Sequence, residues 1–384
     1  MPYRNQHDVI IVGAGPAGAL LGYWLSRNHL STLIIEKKTF PRYKPCGGGL
    51  TRRALALLPF DISQAVEDCT IAARVSMLGE VLLEKHYDEP IITMVMRDKL
   101  DAMLIEKARQ AGAAFSDGTA FENATQAGDT IVVDTTRGVY KTRVLVGADG
   151  VGSRVARSCG LRVNCKHMVA VEGELYPPDP LVLDAFRGAV HFDFGVLPAG
   201  YGWIFPKSDH LSAGVMSYLK KPKGMRRNLF AYLNAKGLPA EGTLKIIRGH
   251  RIPYGTGRKS SVAGSRSLLV GDAAGLADPI TGEGIYFALR QAQIASRVIA
   301  GFFTGQYPSL KTYDRRIREE FIRDMICARR LGAFFYGFPK LSRGILKRRS
   351  DDLPESFLAV VSGSASYHQL FSLKAIGRRL MRRF

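Results

Sequence analysis

The chain has 384 residues, 46% of them hydrophobic, which is enough for a large core in two domains or one elaborated domain. Its 54 lysines and arginines against 34 acidic residues give a formal net charge of +20; that suits an anionic membrane surface or a phosphorylated small molecule, and no motif with placed base-reading residues points to nucleic acid. No run of about 18 uncharged apolar residues predicts a membrane span, the first strand begins by Asp8 and leaves no room for a signal peptide, and five scattered cysteines without a C-x-x-C pair argue against a metal site or a disulfide framework and for a reducing cytoplasm.

The first strand is the β-branched run from Val9 to Val12, composed like a strand covered on both faces. It runs into Gly13-Ala14-Gly15-Pro16-Ala17-Gly18, which fits G-x-G-x-x-G and opens a helix. The first glycine permits the turn, the second lets a pyrophosphate lie against the backbone, and the third lets helix and strand pack closely. The helix N-terminus offers free N–H groups and partial positive charge to that phosphate. A second strand ends in Glu36, 23 residues past Gly13, where a carboxylate holds an adenosine ribose without a 2′-phosphate, as in FAD or NAD rather than NADP.

Residues 37–50 form a loop in which Cys46 precedes Gly47-Gly48-Gly49. Three glycines let the backbone lie flat against a ligand, and Cys46 is either a small packing residue or a thiol over the reactive ring of a cofactor, activated only if neighbouring cations lower its pKa. A helix is predicted from Thr51 to Leu58, strands between about Thr70 and Met96, and an amphipathic helix from Arg97 to Ala111. Arg97 opens that helix, where the dipole disfavours a cation; it is either merely solvated or in contact with an anionic ligand. Strands are expected at 113–115, 121–124, 130–135 and 139–142, then a buried strand at 143–146 leading into Gly147-Ala148-Asp149-Gly150 and a helix from Ser153.

From Asn164 to about Ile252 short apolar and aromatic runs alternate with turn residues, a pattern of a separate β-sheet with few helical periods. In Tyr201-Gly202-Trp203-Ile204-Phe205-Pro206 the three aromatic residues alternate and so share one strand face, either as plain core or as the wall of an apolar pocket. The α/β pattern returns at Ser267–Val270, followed by Gly271-Asp272, then Gly282-Glu283-Gly284 and a helix from about Ile285 to Gly301. Asp272 suits a ribityl or ribose hydroxyl, and the helix N-terminus an anion or a flavin carbonyl. Residues 307–384 read as helical and basic; Leu346-Lys347-Arg348-Arg349 and the segment from Arg378 to Phe384 interleave cations with apolar residues, either as a solvated face or as a peripheral membrane helix.

Together these residues resemble the geranylgeranyl reductase family, within the single-FAD branch of flavoproteins that includes aromatic hydroxylases. The resemblance runs from about Asp8 to Gly301. It rests on the glycine turn with Glu36, on Ala148-Asp149-Gly150 and Gly271-Asp272, and more specifically on Lys44-Pro45-Cys46-Gly47-Gly48-Gly49 and a complete Y-x-W-x-F-P strand. It implies an α/β chain: a Rossmann-like FAD-binding domain of glutathione-reductase type (1–70, 97–163 and 253–305), a mixed β-sheet substrate domain (71–96 and 164–252) and a helical C-terminal region (306–384). Residue by residue, it implies that Gly13, Gly15, Ala17 and Gly18 hold the FAD pyrophosphate and Glu36 the adenosine ribose. Cys46, Gly47 and Gly49 would lie near the isoalloxazine, Arg97 and Ala120 would line the cofactor, and Asp272, Gly284 and Ile285 would hold its ribityl and ring end. Tyr201, Trp203 and Phe205 would face a prenyl chain.

The implied activity is reduction of C=C bonds of geranylgeranyl groups on a lipid, diphosphate or chlorophyll-type substrate, with NADPH or ferredoxin reducing the FAD and Cys46 the first candidate for a catalytic proton donor. Two other readings stand beside it. One is an oxygen-using aromatic monooxygenase or halogenase, although the first tryptophan and the isoleucine of the halogenase W-x-W-x-I-P strand are absent here; the other is a non-catalytic flavin-binding lipid carrier. The expected location is cytoplasmic, with the basic surface allowing peripheral attachment to the inner membrane face; the oligomeric state is not legible.

Overall fold

Three β-sheets with helices packed between and around them form the molecule, seen in a computed structural model that describes residues 5–255, 260–348, 356, 359–360 and 362–370. The first sheet has seven strands. β1 (Gln6–Val12), β2 (Thr32–Ile35), β8 (Ala114–Ser116), β11 (Gly138–Gly147) and β17 (Ser267–Leu269) run parallel, and β9 (Phe121–Ala127) and β10 (Thr130–Thr135) extend it antiparallel beyond β11. Parallel strands are covered on both faces, and Val9 to Val12 are accordingly 0–6% exposed. α1 (Pro16–Arg27) packs against both α3 (Arg97–Gln110) and α7 (Ile285–Phe303) over this sheet, and their apolar faces make one continuous core with it.

The second sheet, also of seven strands, runs β16 (Leu244–Tyr254), β12 (Lys166–Leu175), β15 (Leu211–Ser217), β14 (Gly200–Pro206), β13 (Ala189–Phe194), β5 (Ala72–Met77) and β6 (Glu80–His86). All neighbours are antiparallel except β13 and β5. A three-stranded sheet of β3 (Gly49–Thr51), β7 (Ile92–Val95) and β4 (Val66–Thr70) stands beside the glycine loop.

The structure differs from the sequence expectations at four places. The two strands expected at 139–142 and 143–146 are one, because β11 pairs continuously with β10 and then with β1 and β17. The helix expected from Thr51 to Leu58 is only the four-residue α2 (Arg52–Leu55): Gly49 to Thr51 pair with β7 as a strand. A helix of 11 residues, α6 (Met225–Ala235), interrupts the segment read as a separate β-sheet with few helical periods; its Leu229, Tyr232 and Leu233 close the far face of the second sheet. Short α5 (Pro180–Asp184) does so again. The short α4 (Arg154–Ser158) begins where expected, capped by the Ser153 hydroxyl, which accepts from Ala156 N–H.

Beyond α7 the chain is helical: α8 (Lys311–Ile317), a π-helical turn at Arg318–Ile322, α9 (Arg323–Gly337), α10 (Pro339–Arg348) and a short helix Tyr367–Leu370. Arg349 and the basic segment from Arg378 to Phe384 lie outside the described residues. No helix among the described residues is long and apolar enough to cross a membrane.

Candidate functional site

The carboxyl ends of the parallel strands, the Cys46 loop and one face of the second sheet enclose a cavity of about 860 Å³. At its dinucleotide end Gly13 has φ +107°, and a Cβ there would stand 2.3 Å from the Ala148 carbonyl oxygen. A Cβ on Gly18 would stand 2.0 Å from the Gly13 carbonyl oxygen, so α1 sits directly on the turn. Over Gly15, by contrast, the nearest atom to such a Cβ is Arg97 Nη2 at 3.9 Å. The helical ladder starts with Ala19 N–H on the Gly15 carbonyl at 2.9 Å, which leaves the N–H groups of Ala17 and Gly18 ahead of it. The result is open space above exposed backbone at a helix N-terminus, the geometry an anion requires.

Glu36 ends β2 and is fixed at the cavity edge. Its Oε2 accepts from Ala14 N–H and its Oε1 from Lys38 N–H, both at 3.1 Å. Arg42 Nε lies 3.7 Å from Glu36, and Arg42 Nη1 donates to buried Asp101 at 3.0 Å. Arg97 forms a two-pronged pair with the same carboxylate, 2.9 Å at each contact. The anion that Arg97 meets is therefore in part Asp101, one turn further along its own helix. Burial works against the guanidinium charge, but Asp101 outweighs it and holds the group above its ordinary range. Arg97 keeps its charge facing the glycine turn.

In the middle of the cavity, Cys46 N–H donates to Glu172 Oε1 at 2.6 Å, and the Cys46 Sγ accepts from Gly48 N–H at 3.4 Å. Lys207, fully buried, pins the glycine loop by donating to the carbonyls of Gly47 at 2.8 Å and Val95 at 3.1 Å. Lys44 Nζ donates to His250 Nε2 at 2.8 Å, and that nitrogen is 4.0 Å from Asp272 Oδ2. Burial, reinforced by nearby Arg97, lowers the Lys44 pKa to about 8. Asp149 spends Oδ2 on Arg154 N–H, at 2.7 Å, while its buried Oδ1 has no protein partner. Glu283 is held by the Thr51 hydroxyl at 2.7 Å and by Arg53, and behind it Gly284 and Ile285 begin the 19-residue α7.

The aromatic face comes from β14, in which every residue is buried. Its even positions turn to α6, where a Cβ on Gly202 would meet the Tyr232 ring at 2.6 Å. Its odd positions, Tyr201, Trp203 and Phe205, turn to the cavity. The indole of Trp203 lies across Gly214, its partner in β15, where a Cβ would stand 2.2 Å from the ring. Phe192 meets Phe205 edge to face at 5.4 Å, and Tyr201 donates to the Thr281 carbonyl. Trp203 Nε1 is buried without a protein partner and faces Gly47.

Every residue given a cofactor or substrate role in the sequence lines this one cavity except Gly18, which lies under the turn. The wall also contains Tyr43, Glu172 and His250, which sequence reasoning missed. The one signal for Glu172 is its alternation with Glu174 after the apolar run Met168–Val171, a pair of carboxylates on one face of β12. The cradle fits FAD on its own terms: an open glycine turn for a pyrophosphate, a fixed carboxylate beside it, unpartnered buried Asp149 Oδ1 and Trp203 Nε1 along the wall, and a helix N-terminus at the far end.

A family model described as "FAD binding domain" matches residues 6–328. A menaquinone reductase of Mycobacterium tuberculosis is 32% identical over 390 residues, covering 94% of this chain and 92% of that protein. A chloroplastic geranylgeranyl diphosphate reductase of Oryza sativa subsp. japonica is 30% identical over 345 residues, covering 84% of this chain and 73% of the relative. Among solved structures, a geranylgeranyl bacteriochlorophyll reductase-like protein from Thermoplasma acidophilum superposes with a TM-score of 0.78 at 22% identity, covering 97% of this chain and 95% of that one, a likeness of fold.

Proposed function

The chain belongs to the geranylgeranyl reductase family of FAD-dependent oxidoreductases, and from that premise we propose that it saturates C=C bonds of a geranylgeranyl or longer polyprenyl chain carried on a lipid, quinone, diphosphate or chlorophyll-type headgroup. The observation that carries this reading is that the dinucleotide turn and the three-aromatic face of β14 line one continuous cavity. Gly13, Gly15, Ala17 and Gly18 would hold the pyrophosphate, Glu36 the adenosine ribose, and Arg97 and Ala120 the middle of the FAD. Asp272, Gly284 and Ile285 would hold the ribityl chain and ring, with Cys46, Gly47 and Gly49 beside the ring.

When bound, reduced FAD would be the source of a hydride for the alkene. The rest belongs to the protein. An isolated alkene has no carbonyl to take up negative charge, so a proton must arrive at the second carbon as the first C–H bond forms. Tyr201, Trp203 and Phe205 would hold the chain in place and keep water out. The N-terminus of α7 favours negative charge at the ring end of the cavity.

The surface suggests where such a chain comes from. Near the α9–α10 junction Phe334, Phe338, Leu341 and Ile345 are 39%, 60%, 54% and 38% exposed, on both sides of the break at Phe338. Lys340, Arg343, Lys347 and Arg348 belong to the same α10 segment, with Arg343 and Lys347 also paired to Glu80. An apolar strip within cations matches an anionic bilayer. Phe338→Asp with Leu341→Asp is expected to abolish cosedimentation with phosphatidylserine vesicles; unchanged binding would refute the assignment.

The catalytic reading is tested by offering the dithionite-reduced holoenzyme, without oxygen, three acceptors in parallel: geranylgeranyl diphosphate, a geranylgeranylated lipid and a phenol. Reoxidation by a prenyl compound supports it. Product from the phenol only after oxygen is admitted would favour a monooxygenase, and a flavin that none of them reoxidises would leave a carrier.

A further inference from the structure

We propose that Glu172, Tyr43, Glu174, His210 and Asp209 form a proton relay from solvent to the double bond, with the Glu172 carboxyl as its terminal acid. The inference rests on the reading above and deepens it by assigning the proton source.

Glu172 and Glu174 lie two residues apart on one face of β12, 4% and 1% exposed. Two buried carboxylates this close are costly if both are charged. The Tyr43 hydroxyl stands between them, 3.1 Å from Glu172 Oε1 and 2.9 Å from Glu174 Oε1. A phenol has one proton to donate. It can satisfy both contacts only by donating to one carboxyl while accepting from the other, so the geometry is complete when one of the two acids is protonated. Burial, and next the neighbouring Glu174, raise Glu172 to about 7. Tyr43 is pushed far above its ordinary value by burial and by the same two acids, so it keeps its proton and hands one on only as it receives another.

The line continues outward. Glu174 Oε2 is 3.2 Å from His210 Nε2, within reach but off the axis of a hydrogen bond, so a small rotation of the imidazole closes the contact. Tyr176 stacks on that ring at 4.8 Å. His210 Nδ1 lies 2.6 Å from Asp209 Oδ1, and the Asp209 side chain is 72% exposed. The cations facing the acids are buried Lys207 and, from β16, Arg248 and Lys245, which pair in register with Glu172 and Glu174. Cys46, the acid suggested by sequence, is less well supplied: its thiol contacts Gly48 N–H and Arg97, and neither can replace a proton at neutral pH.

The step balances. Two C–H bonds form and one π bond breaks; the hydride is that of the proposed reduction, and the proton leaves Glu172. Glu172 recovers a proton from Tyr43, Tyr43 from Glu174, Glu174 from His210 Nε2, and His210 from solvent at Nδ1 beside Asp209. One proton is taken from water for each bond saturated.

Infrared difference titration of the FAD-loaded protein, without substrate, tests the relay apart from the reaction. A carboxyl band titrating near neutral pH is expected in the wild type, absent in Glu172→Gln and shifted in Tyr43→Phe, with bound-flavin absorbance confirming that each variant is folded. In anaerobic reoxidation by geranylgeranyl diphosphate, Glu172→Gln is expected to be slower by about 10²-fold or more. His210→Ala should slow mainly above neutral pH and recover with added imidazole. No neutral-pH carboxyl band, or Glu172→Gln with the wild-type rate and pH profile, overturns the relay. A band that behaves as expected in a protein no prenyl compound reoxidises would refute the substrate reading and leave the relay's protonation intact.

Discussion

Gly13 and Gly18 show how single residues set the cofactor end. Alanine at Gly18 would drive a Cβ to 2.0 Å from the Gly13 carbonyl, and at Gly13 it would combine a 2.3 Å clash with a φ of +107°. A non-glycine residue at positive φ costs about 1–2 kcal/mol before any clash. Both variants are expected to be purified without bound FAD, read from the visible absorbance. Glu172 has a thermodynamic signature of its own. The folded chain holds its proton up to about 7, against an ordinary 4.5, so between those values the folded state binds more protons than the unfolded. Stability should therefore fall as pH rises from 4.5 to 7, by about 3 kcal/mol at most, and Glu172→Gln should remove that slope in urea titrations. Cavity-lining residues are legible where they come as a motif: Gly13, Gly15, Glu36 and Asp272 are marked by what precedes them. Glu172, Tyr43 and His250 carry no such mark, because they meet only after residues about 130 and 200 positions apart are folded together.

At the scale of elements, β14 is buried on both faces and each face has its own glycine. Gly202 leaves room for Tyr232 of α6, whose hydroxyl donates to buried Asp193 at 2.6 Å, and Gly214 leaves room for the Trp203 indole. Gly202→Ala is therefore expected to lower stability by about 1–3 kcal/mol with the cavity face unchanged. Gly214→Ala should displace Trp203 and raise the apparent KM for prenyl substrate more than it lowers stability; equal effects from the two would contradict the division of faces. The alternation of Tyr201, Trp203 and Phe205 was readable because strand period is local. The helix α6 was not, because its 11 residues mix Arg226, Arg227, Asn228 and Asn234 with the apolar positions, and tertiary packing of Leu229, Tyr232 and Leu233 settles it. The extent of β11 was likewise decided by its neighbours: three different strands pair with its two halves.

Across the whole molecule, the chain folds so that segments far apart in sequence contribute to one cavity: the turn after β1, the loop before β3, β12, β14 and the start of α7. The parallel sheet supplies a charged, phosphate-seeking end, and the second sheet an apolar end, which is the polarity a prenylated substrate beside a dinucleotide requires. In the proposed membrane docking the excess of basic residues, +20 overall, would supply the attraction to an anionic lipid surface, so raised ionic strength should weaken vesicle binding without releasing FAD. The most direct measurement is stoichiometric: the reduced holoenzyme is mixed with geranylgeranyl diphosphate in the strict absence of oxygen, and flavin absorbance and product mass are followed together. One flavin reoxidised for each pair of hydrogens gained by the prenyl chain is the expected result; a flavin that stays reduced, or that oxidises without any gain in product mass, would contradict it.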